Sequence, residues 1–147
     1  MKRTVPALIL ILSILLTACA VQSTPTATTV PLPEATPFSG PALFEVVRQD
    51  GTRVAFTQDM ISAIPEASVT IEGSVQAGPK LVDVLAAAGI GDYTKLVFSG
   101  SSILTVEAAQ VTDQFILDLS NRGTYKMASP DIPKANWVKD IVSIEVK

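Results

Sequence analysis

The stretch "GPKLVDVLAAAG", Gly78 to Gly89, carries the clearest periodic signal in the chain. Leu81, Val84, Leu85 and Ala88 recur at i, i+3, i+4 and i+7, which places them on one face of a helix. Pro79 suits the first helical turn, where its missing N–H has no intrahelical partner to lose. Gly89 suits the C′ position, where the backbone turns left-handed. The spacing predicts a short amphipathic helix that needs a sheet to bury its apolar face.

The flanking segments supply that sheet. "ALFEVVR" (42–48) reads as a strand, and the Asp-Gly of "QDGTR" turns it toward a second, "VAF" (54–56). Thr57 suits the N-cap of a short helix, "QDMISAI" (58–64), with Pro65 just beyond its end. "SVTIEG" (68–73) alternates as a strand does. Downstream, "TKLVFSG" (94–100) and "ILTVE" (103–107) pair across a Gly-Ser turn. "QFILDLS" (114–120) is a strand or the end of a short helix, "NRG" is a turn, and "TYKMAS" (124–129) returns across it. "PDIPKAN" is a loop, and "IVSIEV" (141–146) is the closing strand. Short strands, two short helices, no βαβ rhythm and no repeat predict an α+β domain with a mixed β-sheet.

That domain is expected over 42–147, after two segments of other character. Lys2 and Arg3 precede "VPALILILSILL" (5–16), an apolar run of 12 residues. Roughly 20 are needed to span a bilayer, so the run suits a secretory signal peptide over 1–18. "LTAC" ends it at Cys19, the only cysteine among 147 residues. The four residues resemble a bacterial lipobox, whose cysteine receives diacylglycerol before cleavage. The resemblance implies a lipid anchor at Cys19 and a place on the extracytoplasmic face of a bacterial cell envelope. Two acyl chains hold a protein on a membrane where one does not. Residues 19–41 then form the lipidated cysteine and a Thr/Pro-rich linker. Five of the ten prolines lie between Ala20 and Pro41, a composition that favours extended polyproline II over a packed core.

Composition narrows the chemistry. The chain has no histidine and a formal net charge of −3. The lack of histidine removes Ser-His-Asp and Cys-His nucleophile systems. An acidic domain is a poor partner for nucleic acid, whose binding rests on Lys and Arg against phosphate. One cysteine rules out an internal disulfide framework.

The order of elements across 42–147 resembles the molybdopterin-binding domain of the sulfite oxidase family. The resemblance rests on Gly78-Pro79-Lys80-Leu81 leading into "VDVLAAAGI". It continues through the strand-turn-strand order of "TKLVFSGSSILTVEAAQVTDQFILDLSNRG". It ends in "SPDIPKANWVKDIVSIEV", with Trp137-Val138-Lys139 at the aromatic-Val-Lys position. It implies the fold and, were the chain an enzyme, a molybdopterin-dependent oxidoreductase. Catalytic members hold molybdenum on a cysteine thiolate ahead of the Gly-x-x-Leu helix. Here that region is "SVTIEGSVQAG", and Ser74 is a poor substitute for a soft anionic sulfur. Arg48, Arg53 and Arg122, the domain's arginines, all lie beside turns. The expectation is therefore a non-catalytic domain with no bound cofactor, molybdopterin entering by family resemblance alone. It would act by binding a small ligand or an envelope partner. The alternative is an accessory or divergent member of a molybdopterin-dependent system.

The candidate binding residues are few. Trp137 reads either as a stacking wall for a planar ligand or as a buried anchor. Lys134 and Lys139 flank it, as phosphate contacts or as solvated loop charges. "SGSS" (99–102) lacks the Gly-Lys-Ser/Thr of a phosphate loop and reads as a turn. Glu107, Asp113 and Asp118 have no spacing that makes a calcium loop, so no catalytic group and no metal site is assigned. Tyr93 and Tyr125 have no partner identifiable by pattern.

Overall fold

The computed structural model describes residues 40–147; the leader, Cys19 and nearly all of the linker lie outside the described residues. Nine strands and two α-helices make an α+β domain. The strands are β1 (Phe44–Val47), β2 (Arg53–Phe56), β3 (Glu66–Ile71), β4 (Ser74–Pro79), β5 (Lys95–Ser99), β6 (Ile103–Glu107), β7 (Ile116–Leu119), β8 (Tyr125–Ala128) and β9 (Ser143–Val146). The helices are α1 (Gln58–Ser62) and α2 (Leu81–Ala87). A five-stranded sheet runs β2-β1-β9-β5-β6, and two hairpins, β3-β4 and β7-β8, stand apart from it. The sheet is mixed because the closing strand β9 runs parallel to β1 and antiparallel to β5.

Register explains which residues are apolar. Val54, Val46, Ile144, Phe98 and Leu104 stand side by side in one row across all five strands. Val46, Ile144 and Phe98 in that row are wholly buried, each contributing about 1.5–3 kcal/mol. The next row on the opposite face is Arg53, Val47, Glu145, Val97 and Thr105. This alternation is that of a sheet with one face on the core and one toward water. Phe44 stacks on Phe56 at 5.2 Å and meets the edge of Tyr125 at 5.7 Å, while Phe98 stacks on Phe115.

The helices form where expected, with one shift. Thr57 caps α1, its hydroxyl accepting from the Met60 N–H. Leu81, Val84, Leu85 and Ala88 are all buried, so the predicted face of α2 is the face that packs. Pro79, however, does not sit in the first helical turn: it is the last residue of β4, and Lys80 is the N-cap. The segment ahead of the helix is thus a strand. β4 pairs with β3 through a two-residue loop, Glu72-Gly73, both with positive φ, as a type I′ turn requires. β3 accordingly begins two residues earlier than the alternation from Ser68 indicates.

Gly78 lets the first hairpin reach the second. A Cβ there would lie 2.0 Å from the Leu117 carbonyl oxygen. Just beyond, the Leu81 N–H donates to the Phe115 carbonyl at 2.8 Å. The chain also threads Trp137–Ile141 between β8 and the β5–β6 turn. The Met127 N–H donates to Val138 O, Ile141 N–H to Tyr125 O, and Ser101 N–H to Lys139 O.

Candidate functional site

Trp137 is 5 % exposed, and its indole Nε1 donates to the Ile132 carbonyl at 2.9 Å. Its ring is packed in the core, so no face is left for a ligand of any size. Lys134 lies in a single 3₁₀ turn (Lys134–Asn136) with its Nζ 5.9 Å from the Trp137 ring centroid. Lys139 is pinned by its backbone N–H on Ser101 Oγ, and its side chain is exposed. The structure does not bring these three side chains around a common cavity.

The carboxylates are dispersed as well. Asp118 pairs with Lys126 across the β7–β8 hairpin at 2.9 Å and accepts from the Ala77 N–H. Asp113 is exposed and 3.6 Å from Lys80. Glu107 forms a capping box with Gln110. Among the described residues, no three His, Cys, Asp or Glu side chains are placed to hold a metal ion, and no helix is long and apolar enough to cross a membrane. Ser74 opens β4, exposed. With no histidine in the chain and no cysteine beyond Cys19, the donor set there lacks the thiolate a molybdenum centre needs. The residues do not fit that group.

A cleft of about 250 Å³ lies elsewhere, lined by Arg48–Asp50, Gly89–Asp92 and Val146. It sits just past the carboxyl ends of the parallel neighbours β1 and β9. Two local structures build it. In the β1–β2 loop, Arg48 N–H donates to Thr52 O and Gly51 N–H to Arg48 O, with Gly51 at φ +83°. That is a three-residue hairpin loop with a left-handed last position. On the other side, α2 ends in a Schellman motif: Ile90 N–H donates to Leu85 O, and Gly89 N–H to Ala86 O.

Arg48 joins the two sides. Its Nε donates to the Ala88 carbonyl at 2.8 Å, placing a cation where the helix end is partially negative. No other hydrogen bond or ion pair engages its guanidinium among the described residues. A side chain on Gly89 would bring its Cβ to 3.0 Å from Arg48 Nη2. The Gln49 amide reaches the Asp92 carbonyl across the loops at 3.4 Å. The Thr52 backbone N–H, 2.8 Å from Asp50 Oδ1, holds that carboxyl below its ordinary range, and nearby Arg48 acts in the same direction.

The residues lining the cleft therefore include Arg48 with its oriented guanidinium, two exposed acidic residues (Asp50 and Asp92) and the aliphatic Ile90 and Val146. Arg48 is noticed in the sequence only as an arginine beside a turn. Nothing in the pattern says that a residue 40 positions away supplies its acceptor. No protein-family model and no curated protein matches the chain.

Proposed function

We propose that this chain is a lipid-anchored protein of the bacterial cell envelope, attached through Cys19 and carrying a small binding domain over 42–147. In this reading the domain has a sulfite-oxidase molybdopterin-binding-like fold and holds a ligand or an envelope partner without molybdenum chemistry of its own. The observation that carries it is Arg48: a guanidinium oriented by Ala88 O over an open cleft, with donors to spare. The donor set at Ser74, without thiolate or imidazole, argues in the same direction. The order of strands and helices across 42–147 supports the second reading, an accessory or divergent member of a molybdopterin-dependent system.

Metal analysis separates the two. The purified chain, with and without added molybdopterin, is assayed for molybdenum and pterin; the binding reading expects neither at stoichiometric level, and one molybdenum per chain overturns it. For the anchor, Cys19→Ala is expected to release the protein or leave it unprocessed. A variant still processed and membrane-bound would remove Cys19 as the attachment point.

A further inference from the structure

The lining of the Arg48 cleft is not suited to a simple anion. Its side-chain charges are one guanidinium against two carboxylates, Asp50 and Asp92, so a phosphate or other dianion meets net repulsion. A simple cation meets Arg48. The volume, about 250 Å³, is below the 300–1,000 Å³ of sites for drug-sized ligands. The floor includes Val146, 2 % exposed, and the half-buried Ile90. The terminal nitrogens of Arg48 offer a fork that matches a carboxylate in two places. The acidic side chains favour an ammonium group.

We propose that the cleft binds a small zwitterion of the aliphatic α-amino acid class. Its carboxylate lies on Arg48, its ammonium toward Asp50 and Asp92, and its side chain on Ile90 and Val146. This rests on the reading of the domain as a binding module, and it commits that reading to one chemical class. The three-point match also sets the specificity. Removing either charged group from the ligand loses one charge-assisted contact while the aliphatic contact remains.

Calorimetric titration of the full chain in mild detergent tests this with four probes: leucine, 4-methylpentanoate, 3-methylbutylamine and inorganic phosphate. Leucine is expected to bind at least tenfold more tightly than the other three, a difference of about 1.4 kcal/mol. Asp50→Asn with Asp92→Asn is expected to reverse the order, weakening leucine and the amine while strengthening 4-methylpentanoate. This double variant leaves the Arg48–Ala88 bond in place, so it is read without disturbing α2. Arg48→Lys should weaken leucine and 4-methylpentanoate together and leave the amine unchanged. Equal binding of leucine and either single-charge analogue, tighter binding of phosphate, or no leucine binding overturns the proposal. So does a leucine affinity indifferent to the double variant. Failure here without molybdenum in the protein removes the zwitterion alone; stoichiometric molybdenum removes the binding reading beneath it.

Discussion

Arg48 Nε and the Ala88 carbonyl oxygen, 40 positions apart and 2.8 Å from each other, tie the end of β1 to the last turn of α2. The residue after Ala88 has no side chain to crowd the guanidinium. Gly89 combines φ +71° with a position where Cβ would press on Arg48 Nη2. An L-residue in the left-handed region costs roughly 1–2 kcal/mol. Gly89→Ala is therefore expected to lower stability by at least that amount, about 4–8 °C in Tm per kcal/mol for a domain near this size. Arg48→Met should cost less, since it introduces no backbone strain and loses one hydrogen bond. Thermal melts followed by circular dichroism give the order; a silent Gly89→Ala would mean that the Schellman end of α2 is not held as described.

Gly78 answers to a harder constraint. The Leu117 carbonyl oxygen at 2.0 Å from its Cβ position is backbone, and the Leu117 carbonyl carbon follows at 2.9 Å. Backbone cannot swing aside as a long side chain does. Gly78→Ala must push β4 away from β7 and strain the Leu81–Phe115 hydrogen bond beside it. A loss of about 3 kcal/mol or failure to fold is expected, at the upper end for overpacked sites. Denaturant titration measures it; a loss under about 0.5 kcal/mol, ordinary for surface changes, would contradict the close approach.

Gln76 faces inward two residues before Gly78, 6 % exposed, and its Oε1 accepts no hydrogen bond from the described residues. A buried acceptor left unpaired costs about 1–3 kcal/mol. Gln76→Leu, similar in length and without the polar group, is expected to raise stability by about 1 kcal/mol. An equal or lower denaturation midpoint would show that the amide is held by an interaction worth keeping.

The ease of reading the sequence varied with the range of the physics. α2 was legible because its apolar face repeats within its own residues, and the β1–β2 and β7–β8 loops because Asp-Gly and Arg-Gly mark local turns. β4 was not. "SVQAGP" has one inward apolar side chain at most, since Gln76 and Gly78 take the inward positions, and Pro79 there mimics a helix start. The Glu72-Gly73 pair between Ile71 and Ser74 was the missed hairpin signal. The cleft was illegible for a different reason: Arg48, Gly89 and Val146 meet only when β9 returns beside β1. Trp137 stood out by rarity, and rarity says nothing of which way a ring faces.

Alkaline pH should destabilise the domain. Burial raises the hydroxyls of Tyr93 and Tyr125 above the ordinary value near 10; for Tyr125 the charge of Glu66 adds to it. Above pH 10 the unfolded chain has released these protons and the folded chain has not, so the unfolded state binds fewer protons. Stability then falls as pH rises. It is expected to be level with respect to these groups below about pH 10 and to decline beyond. Phenolate absorbance should rise at higher pH in the native protein than in urea. If Tyr93→Phe with Tyr125→Phe leaves the decline unchanged, these two groups are not its source.

Asp140 adopts φ +51° without being glycine, and its carboxylate explains why that conformation is kept. Oδ1 accepts from the Thr124 hydroxyl at 2.6 Å, and Oδ2 meets Arg122 Nη2 at 2.7 Å. The two bonds fix the loop before β9 to the β7–β8 turn, while Gly100 allows the Lys139 and Asp140 carbonyls to pass close by. Asp140→Ala keeps the left-handed backbone, at roughly 1–2 kcal/mol, and loses both partners. A total loss of about 2–3 kcal/mol is expected. Asp140→Asn tolerates the same φ, retains an acceptor for Thr124 and gives up an ion pair whose arginine is 68 % exposed; such pairs contribute about 0–1 kcal/mol. Asp140→Gly removes the strain but both bonds as well, and should fall between them. Arg122→Ala isolates the ion pair and should match the Asn variant. Chemical denaturation of the four variants gives the ranking directly, and an alanine variant no weaker than the asparagine one would mean that the carboxylate does not hold the strained turn.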